Sequence, residues 1–399
     1  MKSYATRLSV ASSSLGSFYS SRRPTLVPPV DIQGIALLYP RLNYPHASTF
    51  KMKALARWIR RPLKKNLSIN TAVPPAEPVR ERFQLGKTVC GDSGQTYTIE
   101  EVLLDRKEGS RFVYRAGSQK KSYVLKYSTT GYFEYSRKLM METLKSVPHI
   151  RPLVDTKASL EMLIYPYLNA HLLDFAQRKL SLAARRRIVK ETLEGLAGMH
   201  DRDVIHTDIK PNNILINYQE NGEDEPIITA VEIGDMEEAV DISAGDGIID
   251  VMCGNQLWRS PESWAKGLQG KPSDVYSFGV FSIYVVLELM ILKIPPEHLN
   301  SPDAWRYFIS NHISFFGDTM GLRGLLFYLG VENSFTENIV EIVGTFNASN
   351  LRKPFSRWRF DDERLDDFKD LVCKMTNLDP TKRITAREAL SHSWFSKEL

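Results

Sequence analysis

Twelve consecutive residues, Val204–Leu215 (VIHTDIKPNNIL), constrain this chain more than any other stretch. A short apolar run leads into an ordered polar string, and a second apolar run follows. Singly, a His, an Asp and an Asn in a polar loop are ordinary turn chemistry. In this order, between two apolar runs, they carry far more information. The surroundings set the fold class. From about Glu81, β-prone runs follow one another at Thr96–Val102, Phe112–Ala116 and Ser122–Tyr127, separated by charged or glycine-containing turns. Helical spacing appears at Phe133–Val147, then another apolar run at Met162–Tyr167, and from there helices dominate. Leu182–His200 aligns Val189, Leu193, Leu196 and His200 along one face. The expectation is an α+β chain without internal repeats. A small β-rich lobe spans about 79–166 and a larger helical lobe about 167–399.

Charge is unevenly placed. Residues 1–70 hold twelve Lys/Arg against the single acid Asp31, so they carry +11 of a chain whose net is +5, and the rest sums to −6. The body therefore lacks the basic field that nucleic-acid binding needs. Residues 1–78 read as a basic extension closed by the linker Thr71–Pro78 (TAVPPAEP). Within it, Lys51–Lys65 places Met52, Leu55, Ile59 and Leu63 near one helical face among basic residues. Contact with a membrane surface or with mitochondrial import machinery stays open beside a solvated tail, although Pro62 shortens any such helix. Cys90, Cys253 and Cys373 form neither a disulfide framework nor a metal pattern. They indicate a reducing compartment, cytoplasmic or nuclear by default, with mitochondria as the alternative. Val275–Ile294 is almost apolar enough to span a bilayer, but it carries Glu288 and Lys293 and follows the helix-capping pair Ser273-Asp274. A buried core helix is expected there, and no transmembrane segment.

The string His206–Asn213 (HTDIKPNN) resembles the catalytic loop of eukaryotic protein kinases, usually H-R-D-L-K-P-x-N. Its H-T-D-I-K-P form is similar to that of serine/arginine-rich protein kinases and of fungal kinase-like families. The resemblance covers about residues 80–396. It implies the bilobal protein-kinase fold and transfer of the γ-phosphoryl group of ATP, with Mg²⁺, to serine or threonine of a protein substrate. Such chemistry asks a protein mainly to position groups and neutralise charge. By the motif, Asp208 would accept the substrate hydroxyl proton, Lys210 would reach the γ-phosphate, and Asn213 would face the metal. Lys210 two residues after Asp208 is the serine/threonine form of the loop. Ile228–Ile233 reads as a strand leading to Asp235-Met236-Glu237, which resembles D-F-G and makes Asp235 the Mg²⁺ ligand. Val113-Tyr114-Arg115-Ala116 resembles the strand that covers adenine, so Val113 would touch the base. Tyr123-Val124-Leu125-Lys126 resembles V-A-I-K, so Lys126 would hold the α- and β-phosphates. Gly254–Glu262 (GNQLWRSPE) resembles the substrate-docking loop and A-P-E motif, which implies a buried pair of Glu262 with Arg383. Ser273–Val280 resembles the helix that anchors the catalytic loop through Asp274, and Arg383–Phe395 matches the last helices of the fold.

The departures are as specific as the matches. The three glycines of the phosphate-covering loop fall on Arg106, Glu108 and Arg111, and Gly109 sits one place off. Backbone approach to phosphate is therefore lost, and the side chain of Arg106 or Arg111 is the replacement to consider. Glu237 stands where D-F-G has glycine, which removes backbone freedom. Asn255 replaces the usual Thr, with an amide able to bond Asp208 and Lys210. The helix glutamate that should pair with Lys126 is not fixed by position; Glu134 is favoured over Glu142 because it leads the Phe133–Val147 helix. Thr207 replaces the Arg that grips an activation-loop phosphate, and only Ser243 and Ser260 carry hydroxyls between Asp235 and Glu262. Activity independent of loop phosphorylation is expected. The acidic Tyr218–Pro226 reads as a solvated hairpin turn. The alternative to an active enzyme is a pseudokinase scaffold that binds protein partners with or without nucleotide. A small-molecule phosphotransferase is disfavoured by Glu262, Asp274 and Arg383.

Overall fold

Alternation of apolar residues shapes the first lobe. The computed structural model describes residues 80, 82–106, 111–245 and 247–396. Strands β1 (Thr88–Cys90), β2 (Thr96–Arg106), β3 (Arg111–Ser118), β4 (Lys121–Tyr127), β5 (Asp155–Lys157) and β6 (Met162–Pro166) form one antiparallel sheet in the order β1-β2-β3-β4-β6-β5. Tyr97, Ile99, Phe112, Tyr114, Ala116, Leu125, Met162 and Ile164 point to one side and close an apolar cluster. The other side carries a cross-strand row in which Val113 pairs with Lys126, and Lys126 with Leu163. Leu163 packs into the core of the second lobe, so this row faces the cleft between the lobes. Arg106 pairs with Arg111 at the head of the β2–β3 hairpin. The rest of the expected phosphate-covering loop, with Glu108 and Gly109, lies outside the described residues, as do the side chains of Arg106 and Arg111.

Strand β1 was not expected, since three residues with one inward Val89 leave no periodicity to read. It closes the sheet. The β1–β2 turn reaches β5 at the opposite edge, where the Asp92 N–H donates to Thr156 O at 2.7 Å. Asp155, 4% exposed, accepts from Ser93 N–H (3.0 Å), Ser93 Oγ (2.5 Å) and the Tyr97 hydroxyl (3.0 Å). Gly91 makes the approach feasible, because a Cβ there would lie 2.0 Å from Asp155 Oδ2.

The continuous helix expected over Phe133–Val147 is broken. Helix α1 covers Phe133–Lys138, and a π-helical turn covers Leu139–Thr143. Leu139 and Met140 are adjacent yet both buried, and the wider turn, closed by Leu144 N–H to Leu139 O at 2.9 Å, lets both face inward.

The second lobe begins with β7 (Ala170–His171), α2 (Leu172–Phe175) and α3 (Leu182–His200), the last with the expected bounds and with Ser181 accepting the Ala184 N–H as its cap. Then follow β8 (Val204–Ile205), β9 (Ile214–Gln219), β10 (Ile227–Ile233) and β11 (Val240–Asp241), which form the sheets β10-β9-β7 and β11-β8. The acidic stretch between β9 and β10 is more than a solvated turn: Glu220 pairs with Arg178 at 2.7 Å and Glu225 accepts the Ser181 N–H at 2.7 Å. Helices α4 (Pro261–Trp264), α5 (Lys271–Leu287), α6 (Ala304–Phe316), α7 (Thr319–Leu329), α8 (Phe335–Gly344), α9 (Arg364–Met375), α10 (Ala386–Leu390) and α11 (Ser393–Ser396) complete it.

Helix α5 is buried from Asp274 to Leu287 and is the axis of this lobe. It starts at Lys271, with Pro272 in its first turn, so Ser273 and Asp274 lie inside the helix rather than capping it. It stops at Leu287 because Glu288 turns left-handed (φ 57°), short of the expected Ile294. Among the described residues no helix is long and apolar enough to cross a membrane. The basic segment at 1–78 lies outside the described residues.

Candidate active site

The polar string is built on α5. Strand β8 delivers the chain to His206, and there Asp274, 2% exposed, takes over. Its Oδ2 accepts the His206 N–H at 2.7 Å and its Oδ1 the Thr207 N–H at 2.9 Å, while His200 Nε2 lies 3.1 Å from Oδ2. The expected anchoring by Asp274 is therefore observed. The anchor matters because Thr207 is β-branched and has φ +67°, a conformation costing about 1–3 kcal/mol. The His206 ring bridges two walls of the site: Nε2 donates to Gly234 O (3.0 Å), and Nδ1 accepts the Asp208 N–H (3.2 Å).

Asp208 is held on three sides. The Asn255 N–H donates to Oδ1 at 2.9 Å, Asn213 Nδ2 donates to Oδ2 at 3.1 Å, and Lys210 Nζ is ion-paired with Oδ2. Asn213 also donates to the Asp208 carbonyl at 2.9 Å. Asn255 acts through its backbone and not, as expected, through its amide, whose Oδ1 accepts the Leu257 N–H at 3.0 Å. The preceding Gly254 has φ +76°, and a Cβ there would stand 2.7 Å from Thr207 O, so only glycine lets the docking segment cross the loop this closely.

The roof comes from β4 and the segment after β10. Asp235 has φ 60° and swings its carboxylate toward β4, where Lys126 Nζ lies 2.5 Å from its Oδ1. Burial pushes Asp235 upward, but the charge and hydrogen bond of Lys126, aided by His206 and Lys210, hold it below the usual carboxylate range. A second carboxylate meets Lys126: Glu237 Oε1, at 3.0 Å. Burial works against the Lys126 charge, but Asp235 and Glu237 outweigh it and raise the pKa above the ordinary lysine value. Glu134 is not the partner. It is 69% exposed and paired with Arg137 at 2.8 Å. Glu237 was noted in the sequence only as an awkward replacement for glycine; its acidity opposite a lysine lacking a placed helix partner was the signal to read.

The activation segment is tied down without a phosphate. Thr207 Oγ1 donates to Glu238 O at 2.9 Å. The Tyr135 hydroxyl of α1 donates to Ala239 O (3.1 Å) and accepts the Asp241 N–H (2.9 Å). Strand β11 pairs with β8, and the Ile242 N–H donates to Asp203 O at 2.7 Å. Below it, Glu262 and Arg383 form the expected pair, at 2.5 and 2.8 Å with side chains 1% and 0% exposed.

The donor set suits a hard divalent cation shared with phosphate. Asn213 spends its Nδ2 on Asp208, which leaves its amide oxygen available, and Asp235 adds carboxylate oxygen. Among the described residues no three His, Cys, Asp or Glu side chains converge as a self-sufficient metal cage. One carboxylate with one amide oxygen is the incomplete shell that Mg²⁺ takes when substrate phosphates fill the rest.

The protein kinase domain model matches residues 138–395. The chain belongs to the protein kinase family. The match begins within α1, so the kinase character of β2, β3 and β4 rests on their sheet order and on Lys126 facing Asp235. Curated relatives agree: the probable serine/threonine-protein kinase fhkD of Dictyostelium discoideum is 27% identical over 52% of this chain and 23% of its own length. Calcium/calmodulin-dependent protein kinase type II subunit delta of Oryctolagus cuniculus is 25% identical over 55% of this chain and 32% of its own. The chain thus spans less than a third of each of these relatives. The family fold is the bilobal α+β one described above.

Proposed function

We propose that this kinase-family chain transfers the γ-phosphoryl group of ATP to a serine or threonine of a protein substrate. Support comes above all from the Asp208 carboxylate, fixed by Asn255, Asn213 and Lys210 and facing the Lys126–Asp235 pair across the cleft. In this reading Asp208 accepts the hydroxyl proton as the substrate oxygen bonds phosphorus and the bridge to the β-phosphate breaks. Lys210 neutralises the γ-phosphate. Lys126 holds the α- and β-phosphates, and Val113, its neighbour across β3 and β4, covers the base. Asn213 and Asp235 would hold Mg²⁺, which would supply neutralisation of phosphate charge. The name of one relative, a probable serine/threonine-protein kinase, supports the choice of hydroxyl.

Transfer of ³²P from γ-labelled ATP with Mg²⁺ to basic and acidic protein substrates tests this, with Asp208→Asn as control. Label on serine or threonine that vanishes in the variant supports the reading. Stabilisation by Mg-ATP without transfer on any substrate would favour the pseudokinase scaffold instead.

A further inference from the structure

The first helix of this fold normally supplies the glutamate that orients the strand lysine. Here α1 presents no acid to the cleft. Its buried positions are Phe133 and Ser136, and the π turn buries Leu139 and Met140. Glu134 is engaged with Arg137, and Glu142 is exposed. We propose that Glu237, the residue two positions after Asp235, is the positioning carboxylate of Lys126. This deepens the kinase reading of the same site and rests on it.

Three observations carry the assignment. First, among the described residues Lys126 makes two ion pairs, with Asp235 at 2.5 Å and Glu237 at 3.0 Å. Second, Glu237 sits in a rigid place: the turn Met236–Glu238 is short, Met236 is 6% exposed, and the next two carbonyls are held by Thr207 and Tyr135. The left-handed residue of this turn is Asp235, and Glu237 is not among the residues of positive φ, so a side chain here meets no backbone strain. Third, the two carboxylates have separable duties. Once Asp235 turns to a cation, Lys126, whose side chain is only 23% exposed, would lose its nearer partner. A partly buried ammonium without a partner is disfavoured, and Glu237 keeps it paired. Lysine and metal ligand are thereby positioned by one seven-residue stretch, 235–241, and α1 contributes through the Tyr135 hydroxyl instead of through an acid.

The test uses the full chain. Carbodiimide, which joins only touching amine and carboxylate, is applied without nucleotide, and cross-linked peptides are identified by mass spectrometry. Amides of Lys126 with Asp235, its nearer neighbour, and with Glu237 are both expected, and the Lys126–Glu237 amide persists in Glu134→Gln; its absence beside a Lys126–Asp235 amide counts against the assignment. Kinetics follow on Glu237→Gln, Glu237→Gly, Glu237→Asp and Glu134→Gln. Losing a charge-assisted bond at the reacting site should lower kcat/KM for ATP by about tenfold to a hundredfold in the Gln and Gly variants. Glu237→Asp recovers part of the loss, and Glu134→Gln behaves as wild type. Restoring the family glycine should therefore harm this enzyme. A Lys126 cross-link to Glu134 or Glu142, or unchanged kcat/KM in both Glu237→Gln and Glu237→Gly, overturns the assignment. If the wild type transfers no phosphate, or a variant fails to fold, the cross-link map of the wild type decides alone.

Discussion

Asp274→Asn should damage stability and turnover together. The aspartate presents one oxygen to the His206 N–H at 2.7 Å and the other to the Thr207 N–H at 2.9 Å, in a site 2% exposed. An amide has a single oxygen, so in either orientation its NH₂ group opposes one of the two backbone donors. One hydrogen bond to a charged acceptor is lost, about 1.5–3 kcal/mol, and one buried N–H is left unpaired, about 1–3 kcal/mol. We expect a loss of about 3–5 kcal/mol, a large part of the roughly 5–15 kcal/mol by which such domains are stable. The strained Thr207 would relax once released, which displaces Asp208, the next residue. Denaturant unfolding of wild type and variant measures the loss, and phosphotransfer under folding conditions measures the displacement. Asp203→Asn is the control, since the Lys271–Asp203 pair is about half exposed and should be worth under about 1 kcal/mol. A loss under about 1 kcal/mol in Asp274→Asn would refute the claim that this carboxylate holds the loop.

Either Glu262→Gln or Arg383→Met should cost about 3–5 kcal/mol by stranding a buried charge, while the double variant should recover much of that loss in denaturant unfolding. Phosphatase treatment and Ser243→Ala should leave phosphotransfer unchanged, because the activation segment is held by Thr207, Tyr135 and β8. Tyr135→Phe, which removes one donor and one acceptor contact, should cost about 1–2 kcal/mol in the same unfolding assay and slow transfer. His312 is buried against the Tyr276 hydroxyl at 2.6 Å; burial, with a lesser push from Arg383, lowers its pKa to about 3. The unfolded chain therefore binds this proton first, and stability should fall as pH drops from about 6.5 toward 3, by at most about 1.4 kcal/mol per unit. His312→Gln should flatten that slope in unfolding measured across the range.

Legibility in the sequence followed the range of the forces involved. Val204–Leu215, the strand runs around Val113 and Lys126, and α3 are local patterns, and they lie where expected. Asp274, Glu262 and Arg383 were placed by motif although their partners are distant, since the resemblance carries long-range information that periodicity does not. What failed was pairing decided by packing alone. Nothing in Phe133–Val147 announces a π turn, because helical spacing tolerates Leu139 and Met140 equally until a core on two sides claims both. Nothing in Thr88–Cys90 announces a strand, because its stability comes from a turn docking on Asp155 over sixty residues away. Asn255 was misjudged at the level of atoms: its position was right, and its backbone, not its amide, does the bonding.

The departures from the family pattern become consistent when taken together. A helix-borne glutamate makes a lysine's position depend on where the helix sits, and an arginine before the catalytic aspartate makes the segment's order depend on phosphate. This chain has Thr207 at the second position, and its hydroxyl reaches a backbone carbonyl, a neutral contact that needs no modification. At the first it has Glu237, carried by the same segment that Thr207 secures. The two substitutions support each other. Securing Glu238 fixes Glu237, and Glu237 fixes Lys126, so the cleft is assembled by contacts within the folded chain. Removing Thr207 should therefore be felt at Lys126. We expect Thr207→Ala to weaken the Lys126–Glu237 cross-link as well as phosphotransfer, whereas an effect on transfer with the cross-link intact would show that the two devices act separately.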